Sequence, residues 1–105
     1  MMKTIYDSEV DDEIVTSALD RLTNQTFRLL PANEEGEDWI KPIQTIIIEI
    51  AGLNDLFPKS EKMFSLLCKM QGLLAQGEEV DFQLFRRCIF ECCSMFKNIK
   101  NELGL

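Results

Sequence analysis

A single heptad seam constrains this chain more than any other feature. Phe82, Phe85, Ile89, Cys92, Phe96, Ile99 and Leu103 follow one another at spacings of 3, 4, 3, 4, 3 and 4 residues. An α-helix turns every 3.6 residues, so this spacing draws one apolar edge along about six turns. A strand, which alternates at period two, does not produce it. Asp81 stands where a helix takes its N-cap, and Val80 with Phe85 occupy the two positions of a hydrophobic staple. Lys97 and Lys100 suit the negative end of the helix dipole. A helix with one continuous apolar edge has to bury that edge against other helices.

Three further segments supply them. The first runs over about 11–30, opens on Asp11 and Asp12, and carries Val15, Ala18, Leu19, Leu22 and Leu29, with Thr26 in the gap. Pro31 cannot continue that helix, so 31–36 reads as a loop. The second covers about 38–54, with Asp38 as cap, Pro42 near the first turn and the stripe Trp39, Ile43, Ile46, Ile47, Ile50, Leu53. The third covers about 60–76, capped by Ser60 and ended by Gly77, with Met63, Leu66, Leu67, Met70, Leu73 and Leu74 on its stripe. Four helices with short connections predict an all-α fold, an antiparallel four-helix bundle (helices about 11–30, 38–54, 60–76 and 81–103). Residues 11–105 read as one domain and residues 1–10 as a loosely ordered arm.

Charge narrows the function. The net charge is −7, and residues 1–38 hold all of it: three bases and ten acids give 3 − 10 = −7. Residues 39–105 balance, with eight of each sign. Such a chain lacks the basic footprint of a nucleic-acid binder. It has no histidine, the commonest general base and metal ligand. No phosphate-cradling glycine loop and no nucleophile-elbow motif occur. The expectation is therefore a non-enzymatic protein with no cofactor and no metal. The longest apolar stretch, 46–53, is short and interrupted by Glu49, so no membrane span is expected. The first residues lack the apolar core of a secretory leader, which points to a cytoplasmic protein.

Four cysteines, Cys68, Cys88, Cys92 and Cys93, fit reduced thiols in that compartment. Cys92 lies on the seam as a small core residue. A cysteine-based redox protein is an alternative that requires Cys68 or Cys93 exposed with a lowered pKa. Glu49, embedded among isoleucines, sits at the edge of its stripe with its carboxylate reaching water.

The most informative residues are apolar ones off the stripes. At 100° per residue, Phe27 lies roughly 120° from its stripe centre, Ile48 roughly 170°, Phe64 roughly 100° and Phe90 roughly 130°. Large apolar residues left over on every helix point to an interface. Phe90 follows Arg86 and Arg87 by one turn, an aromatic-plus-arginine composition typical of binding hot spots. The leading expectation is a protein-interaction module (adaptor, assembly factor or small chaperone) that binds a protein partner, itself included as a homodimer. Its interface residues are Phe90, Arg86, Arg87, Ile48, Phe64 and Phe27. The acidic segments 7–13 and 34–38 support an alternative, an acidic inhibitor that mimics nucleic acid.

Overall fold

A computed structural model describes the backbone of residues 2–3 and 9–105 and the side chains from residue 11 onward. In chain order the elements are β1 (Met2–Lys3), β2 (Glu9–Val10), α1 (Asp12–Phe27), α2 (Leu29–Glu34), α3 (Ile40–Leu56), α4 (Glu61–Gln76), a 3₁₀ turn (Gly77–Glu79) and α5 (Phe82–Glu102). Of the expected loose arm, residues 1 and 4–8 lie outside the described residues. The backbones of β1 and β2 pair antiparallel, with Met2 opposite Val10 and Lys3 opposite Glu9.

Side-chain caps begin the long helices. Asp11 Oδ1 accepts from the Glu13 amide at 2.8 Å, Ser60 Oγ from Met63 at 3.1 Å and Asp81 Oδ2 from Leu84 at 3.3 Å. Each satisfies one of the amides that a helix start leaves without a partner. Asp38 performs the same service for α3 from one residue earlier than expected: its Oδ1 accepts from Ile40 at 2.9 Å, and Trp39 is the N-cap. Gly77 takes φ 67° at the end of α4, the left-handed region that glycine enters without a Cβ clash.

Pro31 acts differently from the expectation. It does stop α1, because its ring excludes a normal helical bond to the carbonyl four residues back, that of Phe27, where α1 ends. The chain then restarts at once. Leu29–Glu34 is a second short helix with Pro31 in its first turn, where a missing amide costs little. The segment read as a loop over 31–36 is thus helical through Glu34.

The side chains set the directions. Phe27 meets Phe90, and Asp20 meets Lys100, so positions advance along α1 as they recede along α5. Arg21 bridges α1 to Glu49 on α3, and Lys69 bridges α4 to Glu91 on α5. With α3 packed on α4 and α4 on α5, the four long helices close a ring, and the result is the expected all-α four-helix bundle. It measures 43 × 21 × 20 Å.

Its core is the sum of the stripes. Val15, Leu19, Leu22, Ile43, Ile46, Ile50, Met63, Leu66, Met70, Leu73 and the seam residues Phe85, Ile89, Cys92, Phe96 and Ile99 are all buried. Trp39 closes one end edge-on to Phe85, with ring centroids 4.7 Å apart. Thr26 is buried on the α1 stripe and stays satisfied because its hydroxyl donates to the Leu22 carbonyl at 2.8 Å. Among the described residues, no helix is long and apolar enough to cross a membrane.

Candidate functional site

The off-stripe residues stand on the surface. Ile48 is 71% exposed, Phe64 57%, Phe27 45% and Phe90 41%. Arg86 and Arg87 are exposed beside Phe90. These six do not form one site. Ile48 on α3 and Phe64 on α4 make no ring or ion contact among the described residues. Phe27 and Phe90, from helices 63 residues apart, pack edge to face with centroids 5.5 Å apart and planes at 87°. The Arg86 guanidinium stands 5.3 Å from the Phe90 ring centroid.

Local sequence explains this placement. Phe27 is the last residue of α1 before the Pro31-imposed break, and its ring meets α5 at Phe90, about two turns into that helix. Arg86 and Phe90 are four residues apart on α5, one above the other on the same side. The edge-to-face ring pair contributes about 0.5–1.5 kcal/mol and the exposed cation–π contact about 0.5–1 kcal/mol. Together they hold two half-exposed aromatic rings in one arrangement before anything binds.

Several exposed charges stand outside any ion pair. Glu34, Glu35, Glu37 and Asp38, on α2 and the turn after it, are all exposed. Among the described residues none of them is in an ion pair, and neither are Arg28, Arg86 and Arg87. Acids and arginines are therefore both exposed outside the ion pairs of the bundle. Elsewhere the ion pairs are internal: Arg21 to Glu49 and Lys100 to Asp20, each at 2.7 Å. Glu49 thus sits at the boundary and reaches out, as its sequence position indicates.

A second cluster lies between α4 and α5. A cavity of about 330 Å³ is lined by Lys69, Gly72, Leu84, Arg87, Cys88 and Glu91, among others. Cys88 is half-buried there and Cys92, one turn on, is fully buried. The Cys92 thiol keeps its proton and donates it to Cys88 sulfur, which with the nearby Lys69 ammonium lowers the Cys88 pKa to about 7 against the opposing effects of burial and Glu91. Burial raises Cys93. The Lys69 pKa is raised, first by its hydrogen bond to Glu91, and the Glu91 pKa is correspondingly lowered. The thiol whose pKa is lowered is therefore Cys88, while Cys93, one of the two that a redox reading of the sequence requires, is shifted the opposite way. No group of ligand-type side chains suited to a metal occurs among the described residues.

Two exposed apolar residues escaped the sequence reading, Ile14 on α1 and Leu84 on α5. The same angular arithmetic finds both, since each lies about 110–120° from its stripe centre. A third feature, a cavity of about 310 Å³ between α1, α2 and α3, is lined by Gln25, Leu29, Pro42 and Ile46 and holds the buried Gln25 Oε1 without a partner. No linear pattern announces it.

The fold and these surfaces define a class: an all-α antiparallel four-helix bundle with an aromatic–arginine patch where α1 meets α5. Comparison with known protein families, curated proteins and solved structures finds no match.

Proposed function

We propose that this protein is a non-enzymatic interaction module, and that the Phe27–Phe90–Arg86 patch is its contact surface for a second copy of the chain. The observation that carries the reading is the fixed, half-exposed Phe27–Phe90 pair with Arg86 beside it. Aromatic and arginine side chains are enriched at binding interfaces because the rings bury much area with few rotamers to freeze and the guanidinium adds several donors and a cation–π partner. Charge supports a second copy as the occupant. Each molecule exposes an acidic run, 34–38, and the cations Arg28 and Arg86, none of them in an ion pair among the described residues. A twofold contact sets the acids of one copy against the arginines of the other, and each pairing occurs twice.

The nucleic-acid-mimic reading draws support from the exposed 34–38 acids. Its other segment, 7–13, is engaged in part: Asp11 caps α1, while residues 7 and 8 lie outside the described residues. The self-association reading uses both the acids and the rings, and it is the one we adopt.

Light scattering over a range of concentrations tests it. The wild-type mass is expected to rise from 12.1 kDa toward twice that value, and Phe90→Ser to remain at 12.1 kDa. A wild type and a Phe90→Ser variant with the same concentration dependence contradict the patch as the contact. Raising salt is expected to weaken the dimer without abolishing it, because the rings carry more of the contact than the charges.

A further inference from the structure

The α4–α5 cavity plays no part in the contact proposed above, and it has a chemistry of its own. Its walls carry Lys69 and Arg87 against Glu91, a local balance of 2 − 1 = +1 in a chain of net charge −7. Gly72 leaves one wall open: nothing lies within 4 Å of where its Cβ would stand. At about 330 Å³ the space falls in the range of small-ligand sites. Cys88 is the one thiol among the lining residues.

We infer that Cys88 is a modification site for a low-molecular-weight, anionic disulfide, which it captures as a mixed disulfide in the α4–α5 cavity. In the step, the Cys88 thiolate attacks one sulfur of the incoming disulfide. The new Cys88–sulfur bond forms as the old sulfur–sulfur bond breaks. The bonding pair leaves with the departing thiolate, which takes a proton from solvent. The incoming disulfide is the only oxidant. Lys69 and Arg87 attract the carboxylates of such a molecule, and Lys69 with the Cys92 thiol stabilises the attacking anion.

The adduct has no internal exit. Cys92 lies one helical turn away, where Cβ atoms are about 5–6 Å apart. A disulfide needs about 3.5–4.5 Å. Cys92 is also fully buried, so it supports the anion but cannot displace the bound half while α5 stays intact. The product is a stable single-thiol adduct rather than an intramolecular disulfide, and only an external thiol reverses it.

The test exploits the exposed Cys68 as an internal competitor. Reduced full-length protein is incubated with glutathione disulfide at pH 7, and adducts are assigned by peptide mass. Cys88 is expected to react before the more exposed Cys68, about fivefold faster than an ordinary thiol once its higher thiolate fraction is set against its lower nucleophilicity. Its rate against pH is expected to show a midpoint near 7. Lys69→Met and Arg87→Ser, both on the surface, are expected to slow capture of glutathione disulfide. Arg87→Ser is expected to leave alkylation by neutral iodoacetamide unchanged. Modification of Cys68 first, or a Cys88 rate indifferent to Lys69→Met, overturns the inference.

Discussion

The two sides of α5 show how differently one helix uses similar raw material. Toward α1 it presents Phe90, which finds Phe27 and Arg86 and stays half-exposed in a fixed geometry. Toward α4 it presents Cys88 and Leu84, which border a cavity with Lys69 and Glu91. The first side is apolar surface with its rings in one geometry, the surface proposed above to meet a second copy. The second is a concave, locally cationic space suited to a small anion. The α3–α4 side provides a third case: Ile48 and Phe64 are more exposed than Phe90, yet no aromatic or cationic partner among the described residues orders them. Exposure alone therefore does not distinguish a binding surface from ordinary apolar coverage. Preorganisation does, because a contact made by groups already held in place loses less entropy.

The largest expected effect separates core from patch. Phe85→Ala removes a fully buried ring and is expected to lower folding stability by about 3–5 kcal/mol, whereas Phe90→Ala is expected to cost under about 1.5 kcal/mol in the same urea titration. On association the order reverses. Phe90→Ser is expected to weaken the dimer by about 2 kcal/mol, roughly thirtyfold in the dissociation constant, as read by sedimentation equilibrium. Arg86→Ser is expected to weaken it by about 1 kcal/mol and to flatten its salt dependence. Ile48→Ser and Phe64→Ser, on the opposite side, are expected to change association by less than about 0.5 kcal/mol. If Ile48→Ser proves as damaging as Phe90→Ser, the contrast drawn between ordered and scattered surface is wrong.

The smallest effect belongs to the Lys69–Glu91 bridge. Glu91 holds its charge below its usual value of 4.5 because of Lys69, so the bridge stabilises the fold above that value and is lost as pH falls through the lowered one. Wild type is expected to lose slightly more stability than Glu91→Gln across that acidic window. The pair is solvent-exposed, which keeps the difference small.

Much of the fold was legible in the sequence because its determinants are local. Ser60, Asp81 and Gly77 mark helix ends through bonds and dihedrals within a few residues, and each stripe names its own buried face. The exposure of Phe27, Ile48, Phe64 and Phe90 followed from the same angular bookkeeping. Pro31 misled, since a proline that ends one helix also fits the first turn of the next. What the sequence does not express is how separate helices turn toward one another. Nothing near residue 27 says that its ring meets residue 90, and nothing near Cys88 announces Lys69. Both contacts depend on the relative rotation of packed helices, which is set by the whole core. For that reason the sequence marks the six interface candidates as exposed but not as separate groups, and it does not single out Cys88 among the thiols.

The most direct test of the account is a dilution series followed by backbone and side-chain NMR. The account predicts concentration-dependent shifts at Phe27, Arg86, Phe90 and residues 34–38, with Ile48 and Phe64 unmoved. Shifts confined to α3 and α4, or spectra that do not change on dilution while the mass stays at 12.1 kDa, contradict it.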